Sequence, residues 1–152
     1  MIKNLSYLTF VWLEILLSLN YLNADNILVK FVEVEFKNNT NLLLEIADTH
    51  QKRALGLMNR EKLDRNSGML FDYKSSHYVE IWMKNTLIPL DVIFLKNNQI
   101  KYIKHNALPC EESVVICPII KAESPVDMVI EVNAGIAKAY DIEIGDFISI
   151  KR

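Results

Sequence analysis

The chain has no CxxC pair, no HxxxH spacing and only three scattered histidines, His50, His77 and His105. It therefore lacks the ligand spacing that closes a tetrahedral zinc site, and neither a metal nor a cofactor is expected. There is no GxSxG turn, no Cys and His at a convincing spacing, and no pair of carboxylates with obvious acid and base roles. No catalytic machinery is legible in the motifs, and a non-enzyme is favoured. Seventeen Lys and Arg face nineteen Asp and Glu, giving a net charge of -2 and a pI near 5.9 with no basic stripe. That removes the electrostatic footprint of a nucleic-acid binder. Internal repeats and low-complexity tracts are also missing. What is present is 51% hydrophobic and 24% charged residues in 152, enough for one domain with a modest core.

The opening, "MIKNLSYLTFVWLEILLSLNYLNA", has a lysine near the start, an apolar run from Leu5 to Leu22 and a small Ala24. That order predicts a secretory signal peptide or N-terminal membrane segment over 1–24, cleaved after Ala24, with a single compact domain over 25–152. Glu14 interrupts the run; a carboxylate at a membrane centre costs roughly 2.5–3.5 kcal/mol on insertion scales, which favours a removable segment over a spanning anchor. No Cys follows the run to carry a lipid. The expected location is exported, periplasmic or tethered to the outer face of the inner membrane, with membrane contact only through this segment. Cys110 and Cys117, the only two cysteines, lie in "LPCEESVVICPII" between Pro109 and Pro118. An oxidising compartment would let them close a short loop worth roughly 2–3 kcal/mol in the chain-entropy model; unpaired, they are two small apolar residues.

From Asp25 onward, "ILVKFVEVEF" and "NLLLEIA" have strand character and are joined by the turn-forming "KNNT". Asp48 or Thr49 can cap a short helix ending near Met58, with Gln51 in a capping-box position and Ala54, Leu55 and Met58 on one face. A loop reaches to Gly68. Four closely spaced strands follow, "GMLFDY", "YVEIWMK", "LDVIFLK" and "QIKYIKHNA", and such spacing favours antiparallel pairing. After an irregular excursion from Ala107 to Pro125 come the strand "VDMVIEV", a short helix "NAGIAKAYD" with Asn133 as its cap, and a last strand "GDFISIK". The expected fold class is α+β and strand-rich, a mostly antiparallel curled sheet or small barrel with two short helices.

Strand register decides which side chains are neighbours. If "YVEIWMK" folds back on "DVIFLK" with Lys84 opposite Asp91, then Ile81, Met83, Val92 and Phe94 make one apolar face, and Lys84, Asp91, Trp82 and Glu80 lie on the other. A slip by one residue mixes polar groups into both faces. Continuing through "KNNQ" pairs Leu95 with Ile100, Ile93 with Tyr102 and Asp91 with Lys104. Asp91 would then lie between Lys84 and Lys104 beside Trp82 and Tyr102. This cluster is either cross-strand ion pairing, worth roughly 0.2–1 kcal/mol per pair, or a ligand groove lined also by Asn85 and Thr86. Sugars and small anions suit such a groove. Arg53 is either a solvated helix edge or an anion contact near the lysines.

The segments "ADTHQKRALGLMNR", "GMLFDY", "IWMKNTLIPLDVIFL", "QIKYI" and "VIEVNAG" resemble, in that order, the bacterial and archaeal family called domain of unknown function 192, also uncharacterised protein family 0127. The similarity runs from about Val29 to the C-terminus. It implies an exported or membrane-tethered small domain with a compact, mostly antiparallel β fold, and no activity. The matching motif positions are Arg53, Gly56, Leu57, Met58, Arg60, Gly68, Met69, Trp82, Met83, Lys84, Asn85, Thr86, Pro89, Asp91, Glu131, Asn133 and Gly135. "KNNQ" departs from the Asp- and Gly-rich joint usual there, and Ile81 stands where an aromatic is usual.

Three readings follow. The chain is a binding module for a small polar or anionic ligand or a cell-envelope component, with ligand contacts among Arg53, Trp82, Lys84, Asn85, Thr86, Asp91, Tyr102 and Lys104. Alternatively it is an envelope glycan hydrolase using Glu80 or Asp91, with Lys84 and Arg53 stabilising an anion. In the third reading these motifs serve only the fold.

Overall fold

Asparagine turns and apolar strands give the order of elements. The computed structural model describes residues 29–110 and 117–151. The expected leader, 1–24, lies outside the described residues. Contacts divide the chain into Met1–Lys30 and Phe31–Arg152, and the strands and helices below all belong to the second unit. The strands are β1 (Phe31–Phe36), β2 (Thr40–Ala47), β3 (Ser67–His77), β4 (Glu80–Trp82), β5 (Leu90–Lys96), β6 (Gln99–Ala107), β7 (Ile119–Lys121), β8 (Val126–Asn133) and β9 (Ser149–Lys151). The helices are α1 (His50–Leu55) and α2 (Ile136–Ala139), with a single 3-10 turn at Lys37–Asn39. Among the described residues no helix is long and apolar enough to cross a membrane.

Seven strands form one mixed sheet in the order β6-β5-β8-β3-β2-β1-β9, and β4 and β7 make a separate pair. Within the large sheet only β2 and β3 run parallel. The sheet is thus mixed where a mostly antiparallel one was expected, and the parallel pair has a simple cause. The connection 48–66 is long enough to return along the sheet, and it carries α1 onto one face. The sheet does not close into a barrel, although Ile100, Gly145 and Asp146 exchange backbone hydrogen bonds that tie the start of β6 to the segment before β9.

Both faces of the sheet are covered. Val34, Leu42, Leu44, Leu70, Ile93, Met128, Ile130 and Val132 pack on one side with Ile136 and Ala137 of α2. Met69, Phe71, Val92, Phe94 and Val129 pack on the other with Leu57 and with Ile81 and Met83 around β4. The expected apolar set of Ile81, Met83, Val92 and Phe94 therefore shares one core, but not as a hairpin. β4 pairs with β7, matching Trp82 with Ile119 and Glu80 with Lys121, instead of folding back on β5. Lys84 makes its bridge to Cys110, so it does not face Asp91.

The β5–β6 register also differs from expectation beyond the turn. Asn97 and Asn98 adopt left-handed backbone angles of 51° and 62°, as a tight two-residue hairpin turn requires, and asparagine tolerates them without glycine. Leu95 pairs with Ile100, as the turn dictates. An irregularity between Phe94 and Leu95 then shifts the ladder, so that Phe94 meets Tyr102, Ile93 meets Ile103 and Val92 meets Lys104. A one-residue shift changes the face of each partner, and it removes Lys104 from Asp91.

Gly68 is where β3 comes closest to β8. A Cβ there would stand 2.3 Å from the Glu131 carbonyl oxygen and 2.9 Å from side-chain carbons of Leu44 and Val132. Substitution must push these strands apart. Gly68→Ala is expected to lower stability by about 1–3 kcal/mol, read as a reduced urea midpoint at unchanged slope; an unchanged midpoint would contradict the close approach.

Candidate functional site

A charged residue interrupts the apolar strand β8. Side chains alternate along a strand, so Met128, Ile130 and Val132 face α2 while Val129 and Glu131 face the other core. Cross-strand partners share that side: Glu131 lies between Met69 of β3 and Val92 of β5. It is 5% exposed, and no hydrogen-bond donor or ion-pair partner reaches its carboxyl among the described residues. Burial pushes its pKa up to about 8, because the charged form would lose its hydration without compensation. Near neutral pH the group is thus a carboxylic acid, able both to donate and to accept a hydrogen bond.

Above Glu131 is a cleft of about 210 Å³ between α1 with its following turn and β4. Leu57, Phe71 and Ile81 form buried walls. Thr49 caps α1 by accepting a hydrogen bond from the Lys52 N–H at 3.2 Å. The helix buries no residue. Ala54 and Leu55 of the helix line the cleft, with Leu55 60% exposed; Met58 also lines it, but from the turn beyond the helix, which ends at Leu55 and not near Met58 as expected. α1 stops at Gly56, whose φ of +50° suits glycine and whose missing Cβ leaves room for the Phe71 ring at 3.3 Å.

Arg53 projects from α1 to the rim. One guanidinium nitrogen, Nη1, donates to the Asp72 carbonyl at 2.9 Å, and the group lies 5.0 Å over the Tyr73 ring. Tyr73 stands between unlike groups: burial is the largest influence and pushes its pKa up to about 12, with Arg53 acting to lower it and Glu131 to raise it. Opposite, Trp82 is 50% exposed, with the Lys84 ammonium 5.4 Å over its ring. Glu80 also lines the cleft but pairs with Lys121 at 2.8 Å.

The structure therefore divides the expected ligand residues. Arg53, Trp82 and the buried Thr86 line one cleft, with Lys84 beside Trp82. Asn85 serves the backbone: it adopts φ 55°, its N–H donates to the Cys110 carbonyl, and its own carbonyl accepts from Asn59. Tyr102 packs on Phe94 at 5.6 Å, and Lys104 is exposed on the edge strand β6; neither lines the cleft. Asp91 lies on the opposite face of the sheet, beside Val132 and α2. It is 0% exposed and accepts the N–H groups of Asn106, Gly135 and Ala137 at 2.9, 2.9 and 3.0 Å. The expected cluster of Asp91 with Lys84 and Lys104 does not form, and a hydrolytic role for Asp91 fails on enclosure.

Asp91 also performs the capping expected of Asn133. The Asn133 amide instead donates to the Leu63 and Asp64 carbonyls. Cys110 and Cys117 form a disulfide with Cα atoms 5.8 Å apart, fastening the turn at Lys84 and Asn85 to the chain that enters β7. Arg60 makes an ion pair with both oxygens of Glu45, away from the cleft. Tyr73 and Glu131 were missed as site residues. The available signal was a glutamate within "MVIEV", an apolar run in the interior of its strand.

The family model for domain of unknown function 192, described as "Uncharacterized ACR", matches residues 13–150. A crystal structure of a protein from Sinorhizobium meliloti 1021, described as a candidate transcription regulator, superposes with a TM-score of 0.75 at 32% identity, covering 82% of this chain and 97% of that one. A protein of unknown function from Novosphingobium aromaticivorans DSM 12444 superposes with a TM-score of 0.68 at 31% identity, covering 80% and 84%. No curated protein matches. With a match spanning nearly the whole sequence and a shared strand-rich fold, the chain belongs to the domain of unknown function 192 family.

Proposed function

We propose that the protein is an exported binding module for a small polar ligand of the cell envelope, periplasmic or held at the outer face of the inner membrane, and that the cleft over Glu131 is its site. One observation carries this reading: a carboxyl that has no hydrogen-bond or ion-pair partner among the described residues, on a side chain 5% exposed, lines an open cleft. No side-chain polar atom is both fully enclosed and unpaired among the described residues, so the carboxyl is reached from the cleft, and a ligand that hydrogen-bonds to it there takes the place of solvent. The volume of about 210 Å³ is below the usual range of drug-sized sites, so one ring or one terminal group is the fitting size. The leader pattern over 1–24 and the disulfide support export. The Glu80 pairing with Lys121 and the enclosure of Asp91 count against the hydrolase reading.

Trp82 reports occupancy. In the full chain carrying Trp12→Phe it is the sole tryptophan, and its fluorescence is expected to change saturably with at least one member of a panel of monosaccharides, amino acids and cell-wall fragments. Glu131→Leu is expected to weaken that ligand about tenfold or more, the loss of one well-made hydrogen bond. No saturable response across the panel would sink the proposal.

A further inference from the structure

We infer that the ligand is a monosaccharide carrying a carboxylate, of the uronic-acid class, with its carboxylate held by Arg53 and a hydroxyl held by Glu131. The inference rests on the binding reading above and adds the chemical class. Arg53 has five N–H donors in a planar fork, of which one is used, on the Asp72 carbonyl. Its plane is held over Tyr73, and it makes no ion pair among the described residues. A fork fixed at a cleft rim with donors to spare matches a planar carboxylate, which accepts two parallel hydrogen bonds.

The other groups narrow the choice. Glu80, the remaining carboxylate of the cleft, is matched by Lys121. Burial keeps Glu131 uncharged at neutral pH, so an ammonium ligand would meet no anion there and would be repelled by Arg53. A neutral sugar would use Glu131 and leave the Arg53 fork idle. Inorganic phosphate would accept from Arg53 but brings no ring for the apolar walls of the cleft. Both anchors line one space of about 210 Å³ together with Tyr73, so a six-membered ring bearing a carboxylate at one end and hydroxyls at the other is the size of ligand that can engage them together. Leu57, Phe71 and Ile81 give the cleft apolar walls for the sugar C–H groups, and the half-exposed indole of Trp82 lies at its edge with Lys84 over the ring.

Isothermal titration of the full chain at pH 6.5 and low salt, with galacturonate, glucuronate, galactose, glucose, glycine and phosphate, tests this. At least one uronate is expected to bind tenfold or more tighter than its neutral sugar. Arg53→Gln should abolish that preference and spare the neutral sugar, whereas Glu131→Gln should weaken both. If Arg53→Gln fails to fold, Arg53→Lys, which keeps the charge and loses the fork, should reduce the preference at least threefold. Equal affinity for acid and neutral sugars, or a preference that survives loss of Arg53, overturns the uronate assignment and leaves the binding module standing. Phosphate or glycine binding as tightly as the uronates overturns it too. Silence from every probe in the titration and in the fluorescence panel overturns both.

Discussion

Raising the pH from 5 to 8 is expected to cost the protein about 4 kcal/mol of stability through Glu131 alone. The unfolded carboxyl ionises near its ordinary value of 4.5, whereas burial holds the folded one at about 8. Between those values the folded chain keeps a proton that the unfolded chain has released. The contribution is therefore complete below about 4.5 and is lost as pH rises through 8. At about 1.4 kcal/mol per unit, the pH interval from 5 to 8, which lies inside the window between the two pKa values, sets the stated size, and other groups with their own linkage make the difference from a variant the proper quantity. Glu131→Gln removes the ionisation while keeping nearly the same shape. Urea midpoints of the two chains should converge at acid pH and separate as pH rises, with the variant the more stable at pH 8. Parallel curves would mean that the carboxyl has found compensation in solution.

Asp91→Ala is expected to destabilise by about 2–4 kcal/mol, because three backbone N–H groups lose a shared and fully buried acceptor, and the Ala137 N–H is itself buried. Two of them belong to the entry into α2, so release of this helix from the sheet should be the first visible consequence. Amide hydrogen exchange at Gly135 and Ala137 should rise well beyond the global change. Ligand affinity of the folded fraction should stay as it was, since the sheet lies between Asp91 and the cleft. A loss of binding larger than the loss of folded protein would return Asp91 to the site. Asp91→Asn, which keeps one acceptor oxygen, should cost less than alanine.

These two acids illustrate what could be read before the fold. Both stand in the apolar middle of a strand or next to it, and such an acid implies either a built partner or an exposed use. For Asp91 the partner is backbone from elements 15 and more residues away, which no local pattern encodes. For Glu131 there is no partner among the described residues, and its importance comes from burial on both sides of β8, a consequence of that strand lying between β3 and β5. Arg53 was legible as a cation beside an apolar helical face, and Trp82 and Thr86 as polar or aromatic interruptions. Tyr102 and Lys104 were misplaced by a single-residue irregularity after Phe94, a change too small to leave a signature in alternation.

By itself the sequence determined the strand-rich composition, both short helices, the tight turn at Asn97 and Asn98, the shared core of Ile81, Met83, Val92 and Phe94, and the family. Each depends on residue type and short spacing, where steric preference and apolar periodicity act directly. Only the tertiary structure decided that β4 takes β7 as its partner, that β2 and β3 run parallel, and that Asp91 and Glu131 face away from each other across the sheet. Those outcomes depend on which distant segments bury one another's apolar surface. That is a property of the whole packed chain, and it is why a polar cluster expected along one hairpin became a closed structural acid on one face and an open cleft on the other.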